Sequence, residues 1–136
     1  MMNSNLRCLI LAYQSAVCEV LALMQGSGIK QPITNIEWAC MDIPQLGKLI
    51  GGIPYFKHGF GCKLKLPRGA VDFDFGEQGQ INGFDLWRLL DFAGSRLFEY
   101  GFSSEAALKQ CFEDEVKAGR LVYSGYILYY LVDSSN

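Results

Sequence analysis

A chain of 136 residues is long enough to bury a core without metals or disulfides, and 50% hydrophobic, 13% aromatic and 19% charged residues exclude a disordered segment. The formal charge of −2, from 12 basic and 14 acidic residues, supplies neither a basic footprint for nucleic acid nor a strongly acidic surface that would mimic one. Five widely spaced cysteines (Cys8, Cys18, Cys40, Cys62, Cys111) with no C-x-x-C pair exclude a disulfide framework or zinc knuckle, and read as reduced core thiols.

Leu6, Leu9, Tyr13, Val17, Val20 and Met24 recur at helical spacing, which predicts an amphipathic helix over residues 5 to 24, ended by Gly26-Ser27-Gly28. The apolar run within it is broken by Arg7, Gln14 and Glu19, short of the ~20 residues a membrane span needs, and no cleavage site follows it. The expectation is a soluble cytoplasmic protein forming a single globular domain over residues 1–136, without a membrane partner. Thr34-Asn35-Ile36-Glu37 matches a capping box, so a short helix carrying Trp38 and Met41 follows and halts near Pro44. One or two further turns between Pro44 and Ile50 lead to Gly51-Gly52.

From Ile53 the period changes to two. Tyr55 to His58 reads as a strand and Gly59-Phe60-Gly61 as a turn. Cys62, Leu64 and Leu66 alternate with Lys63 and Lys65, and Val71, Phe73 and Phe75 alternate with Asp72 and Asp74. Gly76 to Gly79 is a second turn, before a short rung at Gln80 to Asn82. Phe84 to Tyr100 predicts one long helix. Arg88, Asp91, Ser95 and Glu99 form its polar stripe, and Phe84, Trp87, Leu90, Ala93 and Leu97 its apolar face. A further helix spans Ser104 to Ala118, capped by Ser103, with Leu108, Cys111, Phe112 and Val116 inward and Gly119 at its exit. Leu121 to Val132, rich in tyrosine, reads as one strand broken near Gly125 that joins the same sheet. Helices, an antiparallel meander of three to five strands, two more helices and a Tyr-rich strand define an α+β fold.

The acidic repeat admits two readings. A four-residue connection, Pro67-Arg68-Gly69-Ala70, sets Leu66 opposite Val71, Leu64 opposite Phe73 and Cys62 opposite Phe75. Lys65 then faces Asp72 and Lys63 faces Asp74, so one face is apolar and the other holds two opposite-charge pairs that fix the register. The competing reading makes Asp72 and Asp74, with His58 and Asp85 near by, ligands of a divalent ion. It lacks a second histidine, and the two lysines compete for the same oxygens. Cys62 with His58 is a conceivable nucleophile pair, although Cys62 is expected to point inward. Gly51-Gly52 and Gly59-x-Gly61 lack the context of a phosphate loop. Trp87 and Arg88 offer a binding anchor, with core the expected place for Trp87. The C-terminal tyrosines lack the basic companions of base stacking.

His58-Gly59-x-Gly61-Cys62, Val71-Asp72-Phe73-Asp74-Phe75-Gly76 and Gly83-Phe84-Asp85-x-Trp87-Arg88-Leu89 together resemble a family of small bacterial domains of unassigned function, associated with toxin–immunity neighbourhoods. The resemblance is specific over residues 53 to 93. It implies a non-enzymatic binding role with no cofactor or metal: an immunity protein that occludes a cognate toxin domain. Asp72 and Asp74 on the sheet, or Asp91 and Glu99 on the helix, are the candidate contacts. Two other functions stay open: a small metal-dependent or cysteine enzyme using His58 with Asp72, Asp74 or Cys62, and a self-associating structural module.

Overall fold

Helix α1 (Ser4–Gly26) forms where the 3.6-residue period places it. Leu6, Leu9, Ile10, Tyr13, Ala16, Val17 and Val20 make one buried stripe. Its start is set by Asn3, whose side-chain oxygen accepts the Leu6 N–H at 3.0 Å and so satisfies a donor that the first turn leaves without an intrahelical partner. Cys8 and Cys18 are exposed free thiols. This corrects their reading as core thiols: each falls on the side of the helix away from the buried stripe.

The computed structural model describes residues 1–26, 53–58, 61–74, 83–123 and 129–132. The expected short helix carrying Trp38 and Met41, the further turns between Pro44 and Ile50, the turns at Gly59-Phe60 and Gly76–Gly79, the rung at residues 80–82 and Cys40 lie outside them. The chain divides into two compact units, residues 1–14 with 82–136 and residues 15–81, with α1 beginning in the first and ending in the second. Among the described residues no helix is long and apolar enough to cross a membrane.

In the second unit β1 (Ile53–His58), β2 (Gly61–Leu66) and β3 (Gly69–Asp74) form an antiparallel sheet in that order. The β2–β3 connection is two residues, Pro67-Arg68, so Leu66 pairs with Gly69, Leu64 with Val71 and Cys62 with Phe73. Gly69, at φ 145°, takes a conformation that side chains disfavour and lets the hairpin close this tightly. The four-residue connection is thereby corrected, and the register moves by two. Lys63 stands opposite Asp72, Lys65 opposite Ala70, and Asp74 opposite Gly61. The register therefore does not set Lys65 opposite Asp72 or Lys63 opposite Asp74 as predicted. An even shift preserves the faces, and Leu64 and Val71 meet in the core. The β1–β2 register slips between Pro54 and Phe56, on an edge strand where proline cannot donate to the ladder. Arg68, at the hairpin turn, forms an exposed ion pair with Glu19 of α1.

In the first unit the expected continuous helix is two. Helix α2 (Leu86–Ala93) stops at Gly94, and residues Gly94–Tyr100 continue as a 3-10 helix. Gly94 has φ 51° and ψ −127°, a backbone state that interrupts α-helical hydrogen bonding and suits only glycine. The buried face of α2 is Arg88, Leu89, Phe92 and Ala93, not the predicted Trp87 and Leu90. Phe92 packs edge-to-face on Tyr13 of α1, with centroids 5.5 Å apart. Helix α3 (Glu105–Lys117) is capped by Ser104, one residue after the predicted Ser103, through its Oγ accepting the Ala107 N–H at 3.1 Å. Leu108 and Phe112 are buried as expected, while Cys111 and Val116 are only half-buried. The tyrosine-rich tail corrects a further expectation. Its strands, β4 (Leu121–Tyr123) and β5 (Tyr129–Leu131), fold back on each other as a separate two-stranded sheet. The class is α+β, with antiparallel strands separate from the helices.

Candidate functional site

The site begins with the cap of α2. Asp85 Oδ1 accepts the Arg88 backbone N–H at 2.7 Å, and its Oδ2 accepts from Arg88 Nη1 at 3.0 Å. One carboxylate thus ends the helix and neutralises a guanidinium that is only 7% exposed. With Arg88 drawn inward, the phase of the helix turns Trp87 out, to 73% exposure. Asp85, a candidate metal ligand from sequence, is committed to this structural pair.

Trp87 stands at the edge of a groove of about 590 Å³. Leu86 and Trp87 of α2 line it on one side, and Phe112, Glu113, Val116 and Lys117 of α3, with Tyr129 of β5, line the rest. Its aromatic lining is packed ring against ring. Phe112 meets Phe84 edge-to-face at 6.2 Å and Tyr129 at 5.2 Å, and Tyr123 tilts against Tyr129 at 5.1 Å. Tyr129 is also tied by its backbone: the Phe84 N–H donates to its carbonyl at 3.0 Å, and its own N–H donates to the Phe84 carbonyl at 2.7 Å. β5 is therefore held between β4 and the approach to α2.

Behind the groove, α3 carries a charge the sequence did not disclose. Glu115 is 5% exposed. Its Oε1 accepts the Asn3 N–H at 3.2 Å, and its Oε2 accepts from Arg120 Nε. The Arg120 hydrogen bond holds the carboxyl below its ordinary range despite desolvation, with the Asn3 N–H adding to the effect. The same carboxylate, with Asp114, adds to burial in pushing the Cys111 thiol up, so that thiol stays protonated and weakly nucleophilic. The only signal for Glu115 in the sequence is its i, i+5 spacing to Arg120 across the helix exit.

None of the other sequence-derived candidates is among the residues that line the groove. Asp72 is half-buried on β3, and Asp74 ends that strand. The register sets His58 and Asp74 on either side of Gly61, with Cys62 one rung along. Asp91 is exposed on α2 and Glu99 on the 3-10 helix. The break at Gly94 removes the single stripe that was to hold Arg88, Asp91, Ser95 and Glu99. Among the described residues no group of three or more histidine, cysteine or acidic side chains is placed to hold a metal ion.

An aromatic floor, an exposed indole and two rim charges of opposite sign, Glu113 and Lys117, can bury an apolar side chain and orient what carries it. No curated protein and no solved structure matches the chain. The chain belongs to the family described as "Domain of unknown function (DUF6896)", which matches it over residues 6–131.

Proposed function

We propose that the chain is an immunity-type protein that neutralises a cognate bacterial toxin domain by binding and occluding it, with the Trp87 groove as its principal contact. The observation that carries this reading is Trp87 itself. A tryptophan 73% exposed at the edge of an apolar groove is unusual for a side chain that contributes so much when buried. Tryptophan is enriched among residues that dominate binding energy, and such anchors work when a partner removes them from water. The groove's lining is mainly apolar and aromatic. Its Asp85 is spent on Arg88, and Glu113 and Lys117 form the charged rim of an interface that is apolar at its centre.

The test is direct binding to the variable C-terminal domain of a large secreted protein encoded beside this chain, followed by calorimetry. Saturable binding that Trp87→Ala weakens, together with protection of cells expressing the toxin domain, supports the reading. Absence of binding and of protection with the wild-type chain overturns it.

A further inference from the structure

We propose that, when no other partner is bound, a second copy of this chain covers the Trp87 groove in a two-fold pair. This rests on the groove being a docking surface, as argued above, and adds a means of regulating it. Anchor and receptor occupy one surface: Trp87 is 73% exposed and also lines the groove beside it. A two-fold interface requires a patch that is its own complement, so that each copy both inserts and receives.

The rim charges meet the same requirement. Glu113 and Lys117 are exposed, lie one turn apart on α3 and both line the groove. When two α3 helices pack antiparallel across a two-fold axis, each Glu113 faces Lys117 of the partner subunit. A rim of one sign would repel its copy; a rim with one charge of each sign, one turn apart, attracts it. The buried Asp85–Arg88 pair contributes no net charge to oppose this contact. The apolar area around one indole is small for a permanent dimer, so the pair is weak and exchanging. It hides the surface assigned to the toxin, and self-association and toxin binding therefore exclude one another.

Sedimentation velocity on the full chain from about 1 µM to 1 mM, the range in which small interfaces dissociate, tests the pairing. The expected result is a reversible dimer that Trp87→Ala disperses. Glu113→Lys and Lys117→Glu each raise the dissociation constant about tenfold or more, and the two together restore it, because the swapped rim is again its own complement. All of these positions are exposed, so the variants keep the fold. A chain monomeric throughout the range, or a dimer indifferent to Trp87→Ala and to both charge reversals, overturns the inference. The two readings fail separately. A Trp87-dependent dimer with no toxin partner sinks only the immunity function, and a strict monomer that binds a toxin through Trp87 sinks only the pairing.

Discussion

Asp85 and Arg88 are joined twice, once from carboxylate to backbone N–H at 2.7 Å and once from carboxylate to guanidinium at 3.0 Å. This pair decides which residues of α2 meet the core and which meet solvent. Asp85→Ala removes a helix cap and the counter-charge of a buried arginine together. We expect a loss of about 2–4 kcal/mol in urea unfolding, while Asp85→Asn, which keeps a capping oxygen, loses less. Equal losses in the two variants would show that capping is not part of the effect.

Trp87→Ala separates binding from stability. Because the indole is exposed, the unfolding free energy should change by no more than about 0.5 kcal/mol. Affinity for a protein partner should fall by about 2 kcal/mol or more, roughly thirtyfold. A large loss of stability instead would mean that the indole packs into the fold.

Glu115 gives the stability a predictable pH dependence. Its folded-state carboxyl titrates below the unfolded value of about 4.3, so the stabilisation it provides is fully present above that value and is lost as pH falls through the folded one. Glu115→Gln should cost about 1–3 kcal/mol near pH 7, and the gap to wild type should close in acid below pH about 4. Urea titrations of both proteins at pH 7, 5 and 3 provide the check. A gap that stays constant across that range would mean that the carboxylate charge is not what matters.

Gly94→Ala tests the break between α2 and the 3-10 helix. No atom lies within 4 Å of the added β-carbon, so the cost comes from the backbone conformation alone. A φ of 51° disfavours any side chain, and thermal or urea unfolding should register a loss of about 1–3 kcal/mol. A neutral or stabilised variant would indicate that the helix runs through.

Thiol labelling should follow exposure. Cys8 and Cys18 are exposed and should react with iodoacetamide ahead of Cys111, which burial and the neighbouring Glu115 and Asp114 carboxylates keep protonated. Peptide mapping by mass spectrometry after short exposure reads the order directly. Cys111 reacting first would contradict the burial of that face of α3.

What could be read from the chain followed the reach of each signal. Leu6, Leu9, Tyr13, Val17 and Val20 placed α1, because helical periodicity is local and repeated over several turns. Leu64 and Val71 reach the core despite a register two residues from the expected one, since an even shift leaves the faces unchanged. The register itself depended on whether the chain turned at Pro67-Arg68 or over four residues, which composition does not distinguish. The break at Gly94 was hidden because an isolated glycine is compatible with a helix. The two strands of the tail read as one because their shared tyrosines signal β structure and not pairing.

The α+β class, the extents of α1 and α3 within one or two residues, and the alternation that gives the β2–β3 hairpin an apolar face are all legible in the order of residues. The candidate site is not, because it arises from packing. Hydropathy sends tryptophan inward and arginine outward, and residues 87 and 88 do the reverse. Asp85 accounts for the inversion: a buried arginine is costly until a carboxylate neutralises it, and here one does so from the helix cap. Once Arg88 is inside, the 100° step of the helix leaves Trp87 on the surface. The groove follows from where α3 and β5 pack, not from any local pattern.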